Sequence, residues 1–211
     1  MTEADPLAPA KNITREAEAA TEGPVVAIPV YAGVSELELG IMVAVCRLCG
    51  GEGATRTLHR SRVSILTAGG LVSTPHVMYA ALPEPAALLI PGGPGAAKAA
   101  RDPLLRGFLA AHAHLPTGAS GSGLLLSGEA GTLKDRILGG PADLTDLLWG
   151  FSPADVRPGE VVTDAHLTTT PGGFPAIHAA LAVAGAVWGE AAAQEAAERL
   201  GWTPLEGLRG Q

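Results

Sequence analysis

The sequence predicts an α/β protein: a flavodoxin-like three-layer sandwich, with a mostly parallel central sheet and helices on both faces. Three observations carry this. Val25–Tyr31 and Ala86–Ile90 are unbroken apolar runs, as expected of strands buried on both faces. Segments of helical character separate these runs from one another, the pattern of βαβ units. Each run stops at a turn of small residues, Ala32-Gly33-Val34 in one case and Pro91-Gly92-Gly93-Pro94-Gly95 in the other.

Element by element, residues 1–23 are polar, charged and without apolar periodicity, and read as a flexible tail. The domain spans 24–203, with 204–211 as a C-terminal tail. Ser35 is placed to cap a helix over 35–49, with Glu36 and Glu38 in its first turn. Ala54–His59 and Arg62–Leu66 read as strands, and Gly69-Gly70 as a tight corner. Asp102-Pro103 opens a helix over 103–114. Pro116–Ala119 is a short strand, followed by a helix ending near Gly131. Pro141–Trp149 is expected to be helical, Glu160–Thr163 and Leu167–Thr170 to be strands. Ala176–Val187 and Ala191–Leu200 are expected as helices broken at Gly189.

Composition narrows the function. Apolar residues make up 47% of the 211, which excludes a disordered chain. The net charge is −7 and no Lys/Arg cluster is present, so no nucleic-acid partner is expected. No apolar run reaches the ~18–20 residues of a membrane span, and the N-terminus has no apolar signal core, so a cytoplasmic protein is expected. Asn12-Ile13-Thr14 matches a glycosylation sequon, which without a secretion signal carries no weight.

Cys46 and Cys49 are spaced C-x-x-C at the end of the first helix. A helix C-terminus raises a thiol pKa, the reverse of what a redox pair needs. No second C-x-x-C or H-x-x-H completes a metal site. The two are read as small apolar residues on one helix, and neither a metal nor a cofactor is expected.

The segment 116–123, Pro-Thr-Gly-Ala-Ser-Gly-Ser-Gly, runs straight into Leu124-Leu125-Leu126. Such strand–turn–helix corners are where many α/β hydrolytic enzymes mount a nucleophile, because small residues tolerate the strained backbone. Here the middle of the corner is Gly121, with no side chain to react. The turn Pro91-Gly92-Gly93 follows a buried strand and could aim backbone N–H groups at an oxyanion. It is neither a phosphate-binding loop nor a dinucleotide fingerprint, for lack of the Gly-Lys-Ser/Thr and of the third glycine.

Five stretches resemble the ThiJ/PfpI superfamily, of the class I glutamine amidotransferase-like fold: VVAIPVYAGVSELELG, SILTAGGLVSTP, AALLIPGGPGA, GASGSGLLLSGEAGTLKDR and VVTDAHLTTTPGGFPAI. They run in the family's order from about residue 24 to about residue 200, and the chain is most similar to the isonitrile hydratase-like branch. The resemblance implies that Glu38 is the family's acidic residue, that Gly92 and Gly93 form the oxyanion turn, and that 119–123 is the A-x-C-x-G elbow. It then places Gly121 where the nucleophilic cysteine belongs. A Thr-His pair that many relatives carry near Gly140-Pro141 is also missing. The resemblance further implies a homodimer.

The expectation is therefore a protein of this family without cysteine chemistry, non-catalytic or binding a small ligand, and stress-related. The pocket would be lined by Glu38, Gly92, Gly93, Gly121 and Ser122. The alternative is a small hydrolase or hydratase using Ser120, Ser122 or a water held by Glu38. A serine needs a base in reach. Among His59, His76, His112, His114, His166 and His178, the residue closest to that role is His166, in the turn Asp164-Ala165-His166. Each histidine is otherwise an ordinary surface residue, and both serines are otherwise helix-capping turn residues. Glu38 is read as a buried carboxyl facing the elbow.

Overall fold

A computed structural model describes residues 23–82 and 84–202. The two tails, the sequon at Asn12 and the last residues of the expected domain lie outside or at the limit of the described residues. Eleven strands are described: β1 (Val26–Pro29), β2 (Thr55–His59), β3 (Ile65–Leu66), β4 (Val72–Ser73), β5 (Val77–Met78), β6 (Ala87–Ile90), β7 (Thr117–Ser120), β8 (Ile137–Gly140), β9 (Asp155–Pro158), β10 (Val162–Asp164) and β11 (Leu167–Thr170). The helices are α1 (Glu36–Gly50), α2 (Ala96–Ala99), α3 (Pro103–Ala111), α4 (Leu124–Glu129), α5 (Thr145–Trp149), α6 (Ala176–Trp188) and α7 (Glu190–Arg199).

Seven strands form the central sheet in the order β10-β11-β7-β6-β1-β2-β5. All neighbours are parallel except the β10–β11 edge hairpin. Alternation along the buried strands divides the core in two. Val26 and Ile28 of β1 and Leu89 of β6 face α1, α6 and α7, packing on Met42, Val45, Ala180 and Ala193. Ala27 of β1 and Leu88 and Ile90 of β6 face α3 and α4, packing on Leu105, Leu109, Leu124 and Leu126. This is the expected three-layer arrangement, with the sheet as the shared middle layer.

Local chemistry explains the helix ends. Ser35 accepts the Glu38 N–H and Asp102 accepts the Leu104 N–H, capping α1 and α3. Gly189, at φ 92°, separates α6 from α7 where expected. Cys46 is fully buried on α1, and burial pushes its thiol up to about 12, with Cys49 adding to the shift. Cys49 donates to the Ala192 carbonyl of α7 at 3.4 Å. Both act as packing residues between helices.

Several expectations are corrected. The 62–66 strand shortens to Ile65–Leu66 and pairs with β4 in its own two-stranded hairpin, outside the central sheet. Helix α3 ends at Ala111, so His112 is its C-cap and His114 lies beyond it. The His112 ring turns back onto Phe108, with centroids 4.5 Å apart. The helix expected over 141–149 splits into a 3₁₀ turn (Ala142–Leu144) and α5. Two strands that the sequence reading does not assign, β8 and β9, form a parallel pair. It is held against the main sheet by the Gly139 N–H donating to Thr169 Oγ1 at 2.7 Å.

Leu89 has no exposed surface. Leu89→Ala is expected to cost about 2–5 kcal/mol. In urea denaturation this should lower the midpoint and leave the slope unchanged.

Candidate functional site

In an open parallel sheet, ligand-binding and catalytic groups gather outside the carboxyl ends of the strands. Three loops leave the sheet there, after β6, β7 and β11, and all three meet the carboxyl group of Glu38. Helix α1 delivers Glu38 from its first turn, with 5% of the residue exposed. Its Oε2 accepts the Gly92 N–H at 2.7 Å, from the loop after β6. Its Oε1 accepts the Gly173 N–H at 2.9 Å, from the loop after β11.

The third loop is the corner after β7. Gly121 stands there at φ 53°, in the left-handed region, at the start of a 3₁₀ turn leading into α4. A side chain at this position would begin under the carboxyl: a Cβ on Gly121 would lie 3.2 Å from Glu38 Oε1 and 3.2 Å from the Gly172 Cα. A Cβ on Gly92 would lie 3.2 Å from Glu38 Oε2, and one on Gly172 3.3 Å from Oε1. Three glycines thus enclose one carboxyl. The left-handed backbone at this corner would strain a residue with a Cβ, and glycine adopts it without that cost.

The remaining polar groups of the corner are engaged within the chain. Ser122 Oγ accepts the Gly93 N–H at 2.9 Å and donates to the Gly93 carbonyl at 2.9 Å. Ser120 is wholly buried and its Oγ accepts from Thr170 Oγ1 at 2.9 Å, tying β7 to β11. The Gly92 and Gly93 amides, expected to serve an oxyanion, therefore face Glu38 and Ser122 instead. Tyr31 Oη donates to the Pro91 carbonyl at 2.8 Å and steadies the same turn. Burial, and then the charge of Glu38, holds the Tyr31 phenol well above its ordinary range.

Of the residues named from the sequence, the structure brings together Glu38, Gly92, Gly93, Gly121, Ser120 and Ser122. His166 is not among them. It precedes β11, at the opposite end of the sheet from the corner, four strand positions or about 13 Å from Thr170 at ~3.3 Å per residue. Its Nε2 pairs with the Ala113 carbonyl at 2.8 Å and its own carbonyl receives the Thr117 N–H. It ties the β10–β11 turn to the segment after α3, so a base role beside either serine does not fit its place. The residues the sequence reading passed over are Thr170, Gly172 and Gly173. One signal for them was visible: Pro171-Gly172-Gly173 repeats, after a second buried strand, the Pro91-Gly92-Gly93 turn. Among the described residues, no group of three His, Cys, Asp or Glu could hold a metal ion. No described helix is long and apolar enough to cross a membrane.

No protein-family model and no curated protein sequence matches the chain. Solved structures do match it. A ThiJ/PfpI family protein from Pseudomonas syringae superimposes with a TM-score of 0.78 at 22% identity, over 98% of this chain and 87% of that one. DJ-1beta of Drosophila melanogaster superimposes with a TM-score of 0.79 at 19% identity, over 86% of this chain and 100% of that one. A DJ-1 superfamily protein from Salmonella typhimurium, solved as a cysteine-to-alanine mutant, gives 0.70 at 23% identity, over 86% and 100%. The chain has the flavodoxin-like α/β fold of the ThiJ/PfpI/DJ-1 superfamily structures.

Removing the carboxyl should test how much the corner depends on it. Glu38→Ala leaves the buried Gly92 N–H and the part-buried Gly173 N–H without acceptors, and a loss of about 2–5 kcal/mol is expected. Ser35→Ala, which removes only the helix cap, is expected to cost about 1 kcal/mol. Chemical denaturation of the two variants should rank them in that order.

Proposed function

We propose that this chain is a ThiJ/PfpI/DJ-1 superfamily member that lacks thiol chemistry at its elbow. It works as a non-catalytic, small-ligand-binding protein. The observation that carries this reading is the glycine at the elbow. Gly121 keeps the left-handed backbone of a nucleophile position and offers no reacting atom beneath the Glu38 carboxyl. The serines on either side support it, since each hydroxyl is engaged by the protein itself. The Gly92 and Gly93 amides are likewise occupied, which disfavours a hydrolase built on Ser120, Ser122 or a Glu38-held water.

The ligand class follows from the rim. Leu37, beside Glu38 in the chain, is 42% exposed, and Phe174, beside Gly173, is 68% exposed. A small molecule with an apolar body fits such a rim better than an anion. A cytoplasmic, stress-related role and a homodimer belong to the same proposal. Support for self-association comes from the β3–β4 hairpin, where Leu66, Leu71 and Val72 are exposed, as is Val63 just before it. The hairpin is anchored to the start of α1 by the Gly33 N–H on Leu66 O and the Ala68 N–H on Val34 O.

Four measurements test this. After fluorophosphonate treatment, intact-mass spectrometry should find no adduct, and p-nitrophenyl acetate should give no burst. A stoichiometric adduct that disappears in Ser120→Ala or Ser122→Ala would sink the non-catalytic reading. Iodoacetamide should label Cys46 and Cys49 slowly, because burial raises both thiols. Light scattering should report a dimer, and Val72→Glu should shift it toward monomer.

A further inference from the structure

The far edge of the central sheet is closed in an unusual way. Strand β2 spans five residues, whereas β5 pairs with only its last two, Leu58 and His59. The outward-facing backbone of Thr55 and Thr57 is left beyond the reach of β5. Two side chains and the backbone N–H of His76, just before β5, take its place. The Arg56 guanidinium donates to the Thr55 carbonyl and to the Gly53 carbonyl, both at 3.0 Å. At Thr57 the closure is reciprocal: the His76 N–H donates to the Thr57 carbonyl at 3.0 Å, and the Thr57 N–H donates to His76 Nδ1 at 3.0 Å. An imidazole nitrogen sits where a ladder would have put a carbonyl oxygen. The Thr57 hydroxyl also contacts Nδ1 at 3.0 Å and accepts the His76 backbone N–H at 3.1 Å, so Thr57 engages His76 through both its backbone and its side chain.

This geometry requires a particular tautomer. Nδ1 must present its lone pair, so the proton of the neutral ring belongs on Nε2. A protonated ring has N–H groups at both nitrogens and cannot accept from Thr57. We infer that His76 is an acid-sensitive latch on the sheet edge: its neutral imidazole stands in for a strand carbonyl, and protonation releases the Thr57 amide of β2 from it.

The charged groups acting on the ring reinforce the latch. His76 is exposed as a residue, yet the part of its ring held against β2 is desolvated, and this lowers its pKa from 6.5. Arg56 on β2 and Arg62 in the β2–β3 connection lower it further. The unfolded or released ring binds a proton more readily than the latched one. The latch is therefore intact above pH 6.5 and weakens as the pH falls from 6.5 through the lower value of the latched state.

Native-state hydrogen exchange of the full chain tests this, with the Thr57 amide as reporter and the Ile28 amide of β1 as internal control. Once corrected for intrinsic exchange, Thr57 protection should be level above pH 6.5 and fall below it, while Ile28 protection holds. In His76→Gln, which presents a non-titrating carbonyl, Thr57 protection should stay level across the same range. A pH-independent Thr57 in the parent chain would overturn the inference. So would an equal fall at Ile28, or a His76→Gln profile parallel to the parent. Ring ¹⁵N spectra of the unmodified protein give a second readout that does not need the variant. They should show the Nε2–H tautomer titrating below 6.5, and an Nδ1–H tautomer would refute the latch.

Discussion

The arrangement at the carboxyl end of the sheet depends on one buried acid accepting two backbone N–H groups. Glu38 joins three loops that are far apart in sequence: Gly92 and Gly173 through hydrogen bonds, and Gly121 through close approach. A buried carboxyl without such partners would be costly, and buried amides without it would be equally so. The two requirements are met by the same contacts. Glycine at 92, 121 and 172 is what allows the loops to come this close.

That bargain has a chemical consequence. In an acting hydrolase, backbone amides near a nucleophile are kept open for charge that develops during the reaction. Here the amides at 92 and 93 are already satisfied, one by Glu38 and one by Ser122. The corner, with Gly121 at φ 53°, connects β7 to α4. The threonines of β11 extend the same logic into the core. Thr170 binds Ser120, and Thr169 accepts from Gly139, so the polar groups between β7, β11 and β8 satisfy one another.

Satisfaction of backbone groups by side chains recurs at the opposite edge. Strand β2 is too long for its partner, and the surplus is closed by Arg56 and His76 rather than by a further strand. An edge guarded by charged or titratable side chains resists unintended pairing. The same device makes the edge responsive to acid, because one of its acceptors is an imidazole.

The amino-acid sequence by itself determined the layers. Short apolar runs with no polar face, stopped by turn residues, fit strands buried on both sides, and Val26–Pro29 and Ala87–Ile90 take that place. Ser35, Asp102 and Gly189 act within a few residues of themselves, so their capping and breaking roles were legible, as were Glu38 and Gly121 through the resemblance. Tertiary structure decided what distant segments do to one another. The sequence put His166 ahead of the other histidines, and the structure sets it apart from both serines, because which end of β11 meets β7's corner is a matter of strand direction and register. Nor could the sequence foresee that Gly173 and Thr170 close the site, or that His76 completes β2. Those contacts join residues 19 to 135 positions apart, and hydrophobic periodicity carries no information at that range.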